Sequence, residues 1–567
     1  MIIHSEDIAQ KSEINADICI IGAGIAGITV ARELAGSDLN VVILESGGFE
    51  PKNSSDILNE GENSGLPYYK LDKSRSRAFG GSSHLWFLND DSSMDDIVRL
   101  RGMDAIDFER REWVPYSGWP FSKAQMDPYY ARAHKIFKIG PYRYDAGYWE
   151  APGKTEQLHS ENGNIQTTIF QFARKNLFFS DYRRELENAS NIQVILNATA
   201  LQINLNEYAK RTESIEASSL KGKKFKVKAK HFILAQGGLE IPRLMLLSNS
   251  IMKSGVGNQH DLVGRYFMEH PHLWSGIYYP SNPDIFNNKQ IFEIHRRNGL
   301  PLMGKLILSE RIIREEKLLN NTVSIHYLPM AALFKPKKSY VKLLKAVREM
   351  KIDCKLINKI LGVFSNPEVL GYAAMRKILR GDREKWFGKK LKYHGFRLNM
   401  MSEQIPNPES RVKLCTERDR FGQQKIELKW SLTSQDINNI RRFQLVLDRE
   451  LRKNSLGRLE IELEDDSVPS NIHGGYHHMG TTRMDSDPVK GVVDQNCRVH
   501  GIDNLYIAGS SVFPTVGYAN PTLTICALAL KLADFIKLRA DKHETSSVRL
   551  KVKEPQLVTG MGVKFCE

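Results

Sequence analysis

The stretch ADICIIGAGIAGITVAREL, residues 16–34, decides the fold of the first part of the chain. A short apolar strand runs into Gly22-x-Gly24-x-x-Gly27, and residues at helical spacing follow. A second apolar strand then ends at Glu45, 18 residues beyond Gly27. This order of strand, glycines, helix, strand and acid is the β-α-β fingerprint of a dinucleotide-binding fold. It predicts a pyrophosphate at the N-terminus of the helix and ribose hydroxyls at Glu45.

The runs that follow the fingerprint favour a flavin over NAD as the bound dinucleotide. The fingerprint lies close to the start of the chain, and ESGG (45–48) follows the second strand. Further along, GGSSHLW (80–86) places two glycines before two serines. Such a run can lay bare backbone and hydroxyl groups against a flat ring system or a pyrophosphate.

These stretches resemble the glucose–methanol–choline (GMC) oxidoreductase family of FAD enzymes. The resemblance extends to FILAQGGLEIPRLMLLSNS (232–250), DLVGRYFMEHP (261–271) and a long ordered stretch (477–536) that begins HHMGTTRM and contains LYIAGSS and GYANPTL. WVPYSGWPFSKAQMDPYY (113–130) resembles a bacterial branch that includes sugar, polyol and aminoglycoside oxidoreductases, with pyranose oxidases as relatives. The segment from about 280 to 400 matches no family pattern.

The fold class predicted from this resemblance is α/β. A Rossmann-like FAD-binding domain is assembled from the discontinuous segments 1–90, 191–275 and 470–540. An α+β substrate domain with a mostly antiparallel sheet takes 91–190 and 276–469, and it carries a basic helical insert at 335–395. Residues 541–567 form a C-terminal tail.

The resemblance also implies a set of residues around FAD. They are Gly22, Gly24, Ile25, Ala26, Gly27, Glu45, Ser46, Arg77, Gly80, Gly81, Ser82, Ser83, His84, Ala198, Ala235, Gly509, Ser510, Asn520, Pro521 and Thr522. Some family members attach FAD covalently through a histidine five residues after the first glycine of the pair. Here His84 stands four residues after Gly80 and Leu85 holds the fifth position, so we predict non-covalent FAD.

Oxidation of an alcohol requires a base for the hydroxyl proton while hydride leaves carbon for flavin N5. The family's catalytic histidine stands three residues before the glycine of its Gly-Thr pair, which implies His477 as the base. The family's second position, histidine or asparagine, falls on Asn520, which is expected to fix the alcohol oxygen. Asparagine cannot titrate, so His477 is the one candidate base of the pair, and His478 is assigned no chemical role.

The histidines near this stretch allow two further interpretations, a metal site and a cavity lining. His473 and His477 have the i, i+4 spacing of helical metal ligands, but the two glycines between them make a helix improbable and no carboxylate stands nearby. No metal site is predicted. His270 and His272 either line the cavity or belong to a structural turn.

Composition limits the partners and the compartment. The net charge is +14, and residues 335–392 hold 17 Lys/Arg against 5 Asp/Glu, so nearly the whole excess is local. This basic insert is a solvated surface helix, or it contacts an anionic membrane or a protein partner; nucleic acid is not predicted, because aromatic residues are sparse there. No run is long and apolar enough for a membrane span, and six cysteines lie without metal spacing. A cytoplasmic protein is predicted, with peripheral membrane contact left open.

The predicted function is oxidation of a primary or secondary alcohol, in a sugar, polyol or glycoside, to the carbonyl. The electron acceptor is oxygen or another acceptor. Two alternatives remain: a membrane-associated dehydrogenase that passes electrons to quinone or a cytochrome partner, and a non-redox flavoprotein on the same scaffold.

Overall fold

A computed structural model describes residues 1–86, 97–282, 290–327, 395–463 and 467–550. The strands are β1 (Ile2–His4), β2 (Glu13–Ile21), β3 (Val41–Leu44), β4 (Gly61–Asn63), β5 (Ile97–Leu100), β6 (Ile165–Arg174), β7 (Ile192–Leu196), β8 (Ala198–Leu205), β9 (Thr212–Ser219), β10 (Lys224–Leu234), β11 (His272–Pro280), β12 (His295–Arg297), β13 (Leu300–Leu308), β14 (Asn321–Tyr327), β15 (Phe396–Ser402), β16 (Arg411–Arg418), β17 (Gln424–Lys429), β18 (Gly457–Ile461) and β19 (Leu505–Ile507). The helices are α1 (Ile25–Leu34), α2 (Asn53–Asp56), α3 (Leu71–Ser74), α4 (Ala105–Phe108), α5 (Lys123–Phe137), α6 (Ala146–Trp149), α7 (Tyr182–Asn188), α8 (Gly237–Leu247), α9 (Glu310–Glu315), α10 (Ser434–Lys453) and α11 (Thr522–Leu550).

The first sheet has the order β1-β7-β3-β2-β10-β9-β8, with β19 beside the C-terminal end of β10. Its central strands β7, β3, β2, β10 and β19 are parallel, and the fingerprint helix α1 connects β2 to β3. The carboxyl-terminal halves of β2 and β10 and the whole of β3 are apolar runs with buried side chains, as expected for parallel strands covered on both faces. Loops after the carboxyl ends of these strands therefore meet at one edge, where ligands of such sheets bind.

The second sheet is antiparallel, with the order β18-β11-β15-β14-β13-β6-β5 and with β12 paired to β13. One face packs on α10, which buries Ile440, Phe443, Leu447 and Leu451 in the same core as Leu398 and Leu306 of the sheet. The combination of a parallel Rossmann-like sheet with a separate antiparallel sheet confirms the predicted fold class.

The packing cuts across the division into two domains drawn from sequence. Helix α5 lies within 91–190 of the predicted substrate domain, yet it packs against α11 and its buried residues join the core of the first sheet. Strand β4 of the predicted FAD segment pairs in turn with β17 in a small third sheet, β16-β17-β4.

The described residues include only small parts of the predicted C-terminal tail and of the predicted basic insert. Helix α11 continues to Leu550, so the first residues of the predicted tail are helical. The basic insert lies outside the described residues apart from residue 395. Among the helices that the structure describes, none has the length and apolarity needed to cross a bilayer.

Candidate active site

The glycine-rich turn between β2 and α1 lies at the carboxyl edge of the first sheet. Gly22 has φ +105°, and a Cβ there would stand 2.8 Å from the carbonyl oxygen of Ala235 on the neighbouring strand. A Cβ on Gly27 would stand 2.0 Å from the carbonyl oxygen of Gly22. Both positions therefore require glycine, because the turn packs against backbone on both sides.

Glu45 and the Gly80–Gly81 turn enclose this glycine-rich loop. The buried Glu45 carboxylate accepts the N–H of Ala23 at 2.8 Å through one oxygen and the N–H of Gly47 at 2.8 Å through the other. Burial raises the pKa of Glu45 to about 7, against the opposing hydrogen bonds from Gly47 and Ala23. Gly80 donates its N–H to the carbonyl of Ala23 at 2.8 Å, which joins two loops that are distant in sequence.

These residues fit a dinucleotide. Gly24 is the N-cap of helix α1 and offers no side-chain acceptor, so the N–H groups of the first turn, those of Ile25, Ala26 and Gly27, have no acceptor within the helix. Gly509, after β19, has φ +141° and nothing within 4 Å of its Cβ position. A positive helix end and a glycine that faces open space suit a phosphate and a flat ring.

Other residues of the predicted FAD set are already bonded to protein. Ser46 Oγ accepts Arg77 Nη1 at 2.9 Å and lies 2.9 Å from the Thr199 hydroxyl. Arg77 also donates to Asn59 at 2.8 Å and to Glu240 at 2.6 Å. Arg77 thus shapes the wall of the site through Ser46, because its donors are committed to protein acceptors.

Three residues after Gly81 have distinct surroundings. Ser82 is exposed, whereas the Ser83 hydroxyl is buried and donates to the carbonyl of Gly80 at 2.7 Å. His84 Nε2 lies 2.9 Å from the carbonyl oxygen of Phe79, and its ring stacks on Phe179 with centroids 4.1 Å apart. Ala198 and Ala235 are buried where β8 begins and β10 ends, and Ala198 donates its N–H to the carbonyl of Glu45 at 2.8 Å.

The stretch that carries His477 crosses the same edge of the sheet. Ser510 donates its hydroxyl to the carbonyl of His478 at 2.7 Å and accepts the N–H of Gly480 at 3.1 Å through its own carbonyl. Thr481 donates its hydroxyl to the carbonyl of Gly238, at the start of α8, at 2.6 Å. The stretch is thereby tied to the ends of β19 and β10, beside the glycine-rich loop.

His477 lies between two polar side chains. Its Nε2 is 3.2 Å from Asn520 Nδ2, and its Nδ1 is 2.9 Å from Nδ1 of His270. Asn520 stands just before Pro521 and Thr522 at the start of α11, and its Oδ1 has no partner among the described residues. The two residues implied as catalytic are thus in contact, although 43 positions separate them in sequence.

The imidazoles in this region are held neutral. Burial is the main cause that lowers the pKa of His477 well below its ordinary value, and nearby His270, His272, His478 and Arg99 lower it further. Burial also lowers the pKa of His270 to about 4, against the opposing effect of the carbonyls of Val516 and Gly517.

His473 and His478 contact other aromatic rings. His473 stacks on His272 with centroids 5.6 Å apart, whereas His478 packs against Tyr68 and Phe267 at 6.1 and 6.0 Å. Within the described ranges no group of three His, Cys, Asp or Glu side chains is placed to hold a metal.

Sequence reasoning missed two residues of the site and left a third undecided. Glu269 bonds the backbone of the His477 stretch, and Tyr68 bonds Glu269. The sequence left His270 either in the lining of the cavity or in a structural turn. In the structure, His270 contacts His477 directly. The acid before His270 was visible in MEHPH, but only contact across the fold shows which backbone it reaches.

Comparisons with known proteins agree with this geometry. Residues 17–149 match a family model described as FAD dependent oxidoreductase. Two models described as GMC oxidoreductase match residues 168–272 and 406–529. Fold and site therefore define an FAD-dependent oxidoreductase that acts on alcohol CH–OH groups. The chain belongs to the GMC oxidoreductase family, and the predictions of family and of FAD are confirmed.

Two relatives and one solved structure illustrate the range of the family. The chain is 24% identical to the oxygen-dependent choline dehydrogenase of Photobacterium profundum, over 92% of each chain. It is 34% identical to the 6'''-hydroxyparomomycin C oxidase of Streptomyces lividus, over 24% of each chain. A formate oxidase variant of Aspergillus oryzae superposes with a TM-score of 0.52 at 17% identity, covering 94% of this chain and all of that one, which supports the fold.

Proposed function

We propose that the protein oxidises a primary or secondary hydroxyl of a sugar, polyol or glycoside to the carbonyl, with His477 as the base. The observation that carries the proposal is the contact between His477 Nε2 and Asn520, at the sheet edge where the FAD-binding loops meet. Bound FAD supplies the hydride acceptor. Oxygen or another acceptor then takes the electrons from the enzyme.

The hydrogen bonds assign a tautomer to His477. When Asn520 donates through Nδ2, His477 Nε2 accepts, so the ring proton lies on Nδ1 and is donated to Nδ1 of His270. His270 then carries its own proton on Nε2, which has no hydrogen-bond partner among the described residues. The lone pair of His477 thus lies on Nε2, and once a substrate hydroxyl replaces the Asn520 amide as its donor, Asn520 Nδ2 can donate to the alcohol oxygen.

The remaining parts of the site set limits on the reaction. The lowered pKa of His477 keeps the base unprotonated at neutral pH. The engaged ring of His84 supports non-covalent FAD. The predicted contact of the basic insert with a membrane or a protein partner falls on residues outside the described ranges, so it stays a prediction.

The test is a His477→Ala variant. Because the ring reaches Asn520 and His270 rather than the glycine-rich loop, the variant should retain FAD. Anaerobic bleaching of the flavin by a panel of choline, D-glucose, D-fructose, glycerol, paromomycin and 5-(hydroxymethyl)furfural should fall by at least about 100-fold, the upper range of general-base catalysis being about 10⁴.

His500→Ala is the matched control. This loop histidine bonds the carbonyl of Asp485 at 2.9 Å, outside the site, and its loss should leave bleaching intact. Unchanged bleaching in His477→Ala would exclude His477 as the base. Failure of every panel alcohol with the wild-type protein would contradict the proposed substrate class.

A further inference from the structure

Glu269 is a buried carboxylate that accepts four hydrogen bonds. One oxygen accepts the N–H of Gly475 at 2.9 Å and the N–H of His270 at 3.1 Å. The other accepts the N–H of His477 at 2.9 Å and the phenol of Tyr68 in a short hydrogen bond. The Glu269 side chain is 0% exposed, so these donors replace water as the solvation of its charge.

The arrangement of donors favours the ionised form of Glu269. Backbone N–H groups can only donate, so of the four partners only the phenol of Tyr68 could accept a carboxyl proton. Burial raises the pKa of Glu269 to about 7, while the hydrogen bonds from Tyr68, Gly475 and His477 oppose that rise. The carboxyl group therefore changes its charge near neutral pH.

Close packing surrounds this carboxylate on every side. A Cβ on Gly474 would stand 2.8 Å from its oxygen, so glycine is needed where the loop passes. The stacked phenols of Tyr69 and Tyr476 lie further out, and the charge of Glu269 contributes to raising the pKa of both. The backbone N–H of Glu269 itself donates to Gln404 Oε1 at 3.0 Å.

His477 needs a negative charge when it works as a base. Its other charged or ionisable neighbours, His270, His272, His478 and Arg99, all disfavour a positive charge on its ring. Glu269 bonds the backbone nitrogen of His477, and only Cα and Cβ separate that nitrogen from the ring. A carboxylate held this close to the loop favours a positive charge on the ring, because unlike charges attract in a site from which water is excluded.

We propose that Glu269 is the positioning residue of His477: it fixes the loop that carries the base and balances the charge of the imidazolium formed when His477 takes the hydroxyl proton. This inference rests on the proposed function of His477. Tyr68 takes part by holding the carboxylate in its ionised form.

The experiment measures the rate of anaerobic flavin reduction from pH 5.5 to 9, with the panel alcohol that reduces the wild-type protein fastest. Below about pH 7 Glu269 is protonated and its charge is lost, whereas His477 stays neutral over the whole range. We therefore expect the wild-type rate to rise through about pH 7 and then to level off.

In Glu269→Gln the rise should disappear, and the rate at pH 8.5 should fall by roughly 10- to 100-fold, because the imidazolium loses its counter-charge. In Tyr68→Phe the rise should move to higher pH, because the phenol lowers the pKa of Glu269. Asp436→Asn is the control: Asp436 is also buried and accepts the N–H groups of Ile405 and Thr433, both at 2.7 Å, but it bonds no residue of the site.

The outcomes separate this inference from the proposed function. A rise that persists unchanged in Glu269→Gln, or one that stays in place in Tyr68→Phe, overturns the role of Glu269 and leaves His477 as the base. If Glu269→Gln does not retain FAD, the test rests on Tyr68→Phe, and the pH at which its flavin-reduction rate rises decides whether Glu269 has the proposed role. If no panel alcohol reduces the wild-type flavin, or if His477→Ala still bleaches, both proposals fail.

Discussion

At the scale of single residues, the adjacent histidines His477 and His478 have different surroundings. His477 projects toward Asn520 and His270, whereas the ring of His478 is buried against Tyr68 and Phe267. Burial lowers the pKa of His478 to about 3, so it carries no charge at neutral pH. The positive φ of Tyr476, 61°, and of Gly480, 86°, turns the backbone on both sides of the pair.

A residue-scale prediction concerns His84 and the attachment of FAD. Acid precipitation of the wild-type protein should release all flavin into the supernatant, since the His84 ring is bonded to Phe79 and stacked on Phe179. His84→Ala should retain FAD, with a stability loss of about 1 kcal/mol for the lost hydrogen bond. Flavin absorbance in the wild-type pellet, absent from the His84→Ala pellet, would show instead that His84 holds FAD covalently.

At the scale of elements, helix α8 joins the first sheet to the segment before the Gly80–Gly81 turn. Glu240 of α8 accepts Arg75 at 2.7 Å and Arg77 at 2.6 Å, and Arg243 of the same helix bonds Asp419 at 2.7 Å. The three guanidinium groups hold the pKa of Glu240 well below its usual range despite burial. This charge cluster fixes Arg77, which in turn fixes Ser46.

We expect Glu240→Gln to lower the free energy of unfolding by about 3–5 kcal/mol, because buried guanidinium groups lose their counter-charge. The contribution of Glu240 is present above the ordinary pKa of 4.5 and is lost as the pH falls below that value, since the folded pKa is depressed. Chemical denaturation of the FAD-bound protein at pH 7 and at pH 4 measures both effects.

The control for this prediction is Glu185→Gln. Glu185 pairs with Arg32 at the surface and its side chain is 50% exposed, so the expected loss is below about 1 kcal/mol. A loss in Glu240→Gln no larger than in this control would contradict the structural role of the cluster.

At the scale of the whole molecule, the FAD site is assembled from distant parts of the chain. The glycine-rich loop comes from the first 27 residues, the loop after β10 from the middle, and Gly509 and Asn520 from near the end of the described chain. Backbone hydrogen bonds join these parts, as between Ala235 and Ile21 or between Ala508 and Leu234. A bound FAD therefore contacts and stabilises elements that fold together.

Removal of FAD should lower the thermal unfolding temperature by roughly 2–3 °C relative to protein with FAD at about 100 times its Kd, where binding contributes about 2.7 kcal/mol. Added FAD should restore the temperature, while NAD at the same concentration should not. Equal unfolding temperatures with and without FAD would show that the three segments do not depend on the cofactor.

The glycine-rich part of this site could be predicted because the residues that form it lie close together in the sequence. Gly22 and Gly27 lie in a turn that has no space for a Cβ beside the neighbouring backbone, and the order strand, glycines, helix predicts both positions. The resemblance to the family added His477 and Asn520 through motifs that keep their spacing. The division into domains was less predictable, because α5 packs on the first sheet through contacts with α11, about 390 residues away.

Local pattern was thus enough to predict the β-α-β unit and a bound dinucleotide, since both depend on residues within a few turns of chain. The resemblance to the family predicted FAD and the candidate base. Only the tertiary structure decided the protonation and support of that base. Glu269 and His270 lie more than 200 positions before His477, and their effect comes from burial and from hydrogen bonds across the fold. Desolvation and charge act between groups that are close in space, and the spacing of residues in the sequence does not show which distant groups come together.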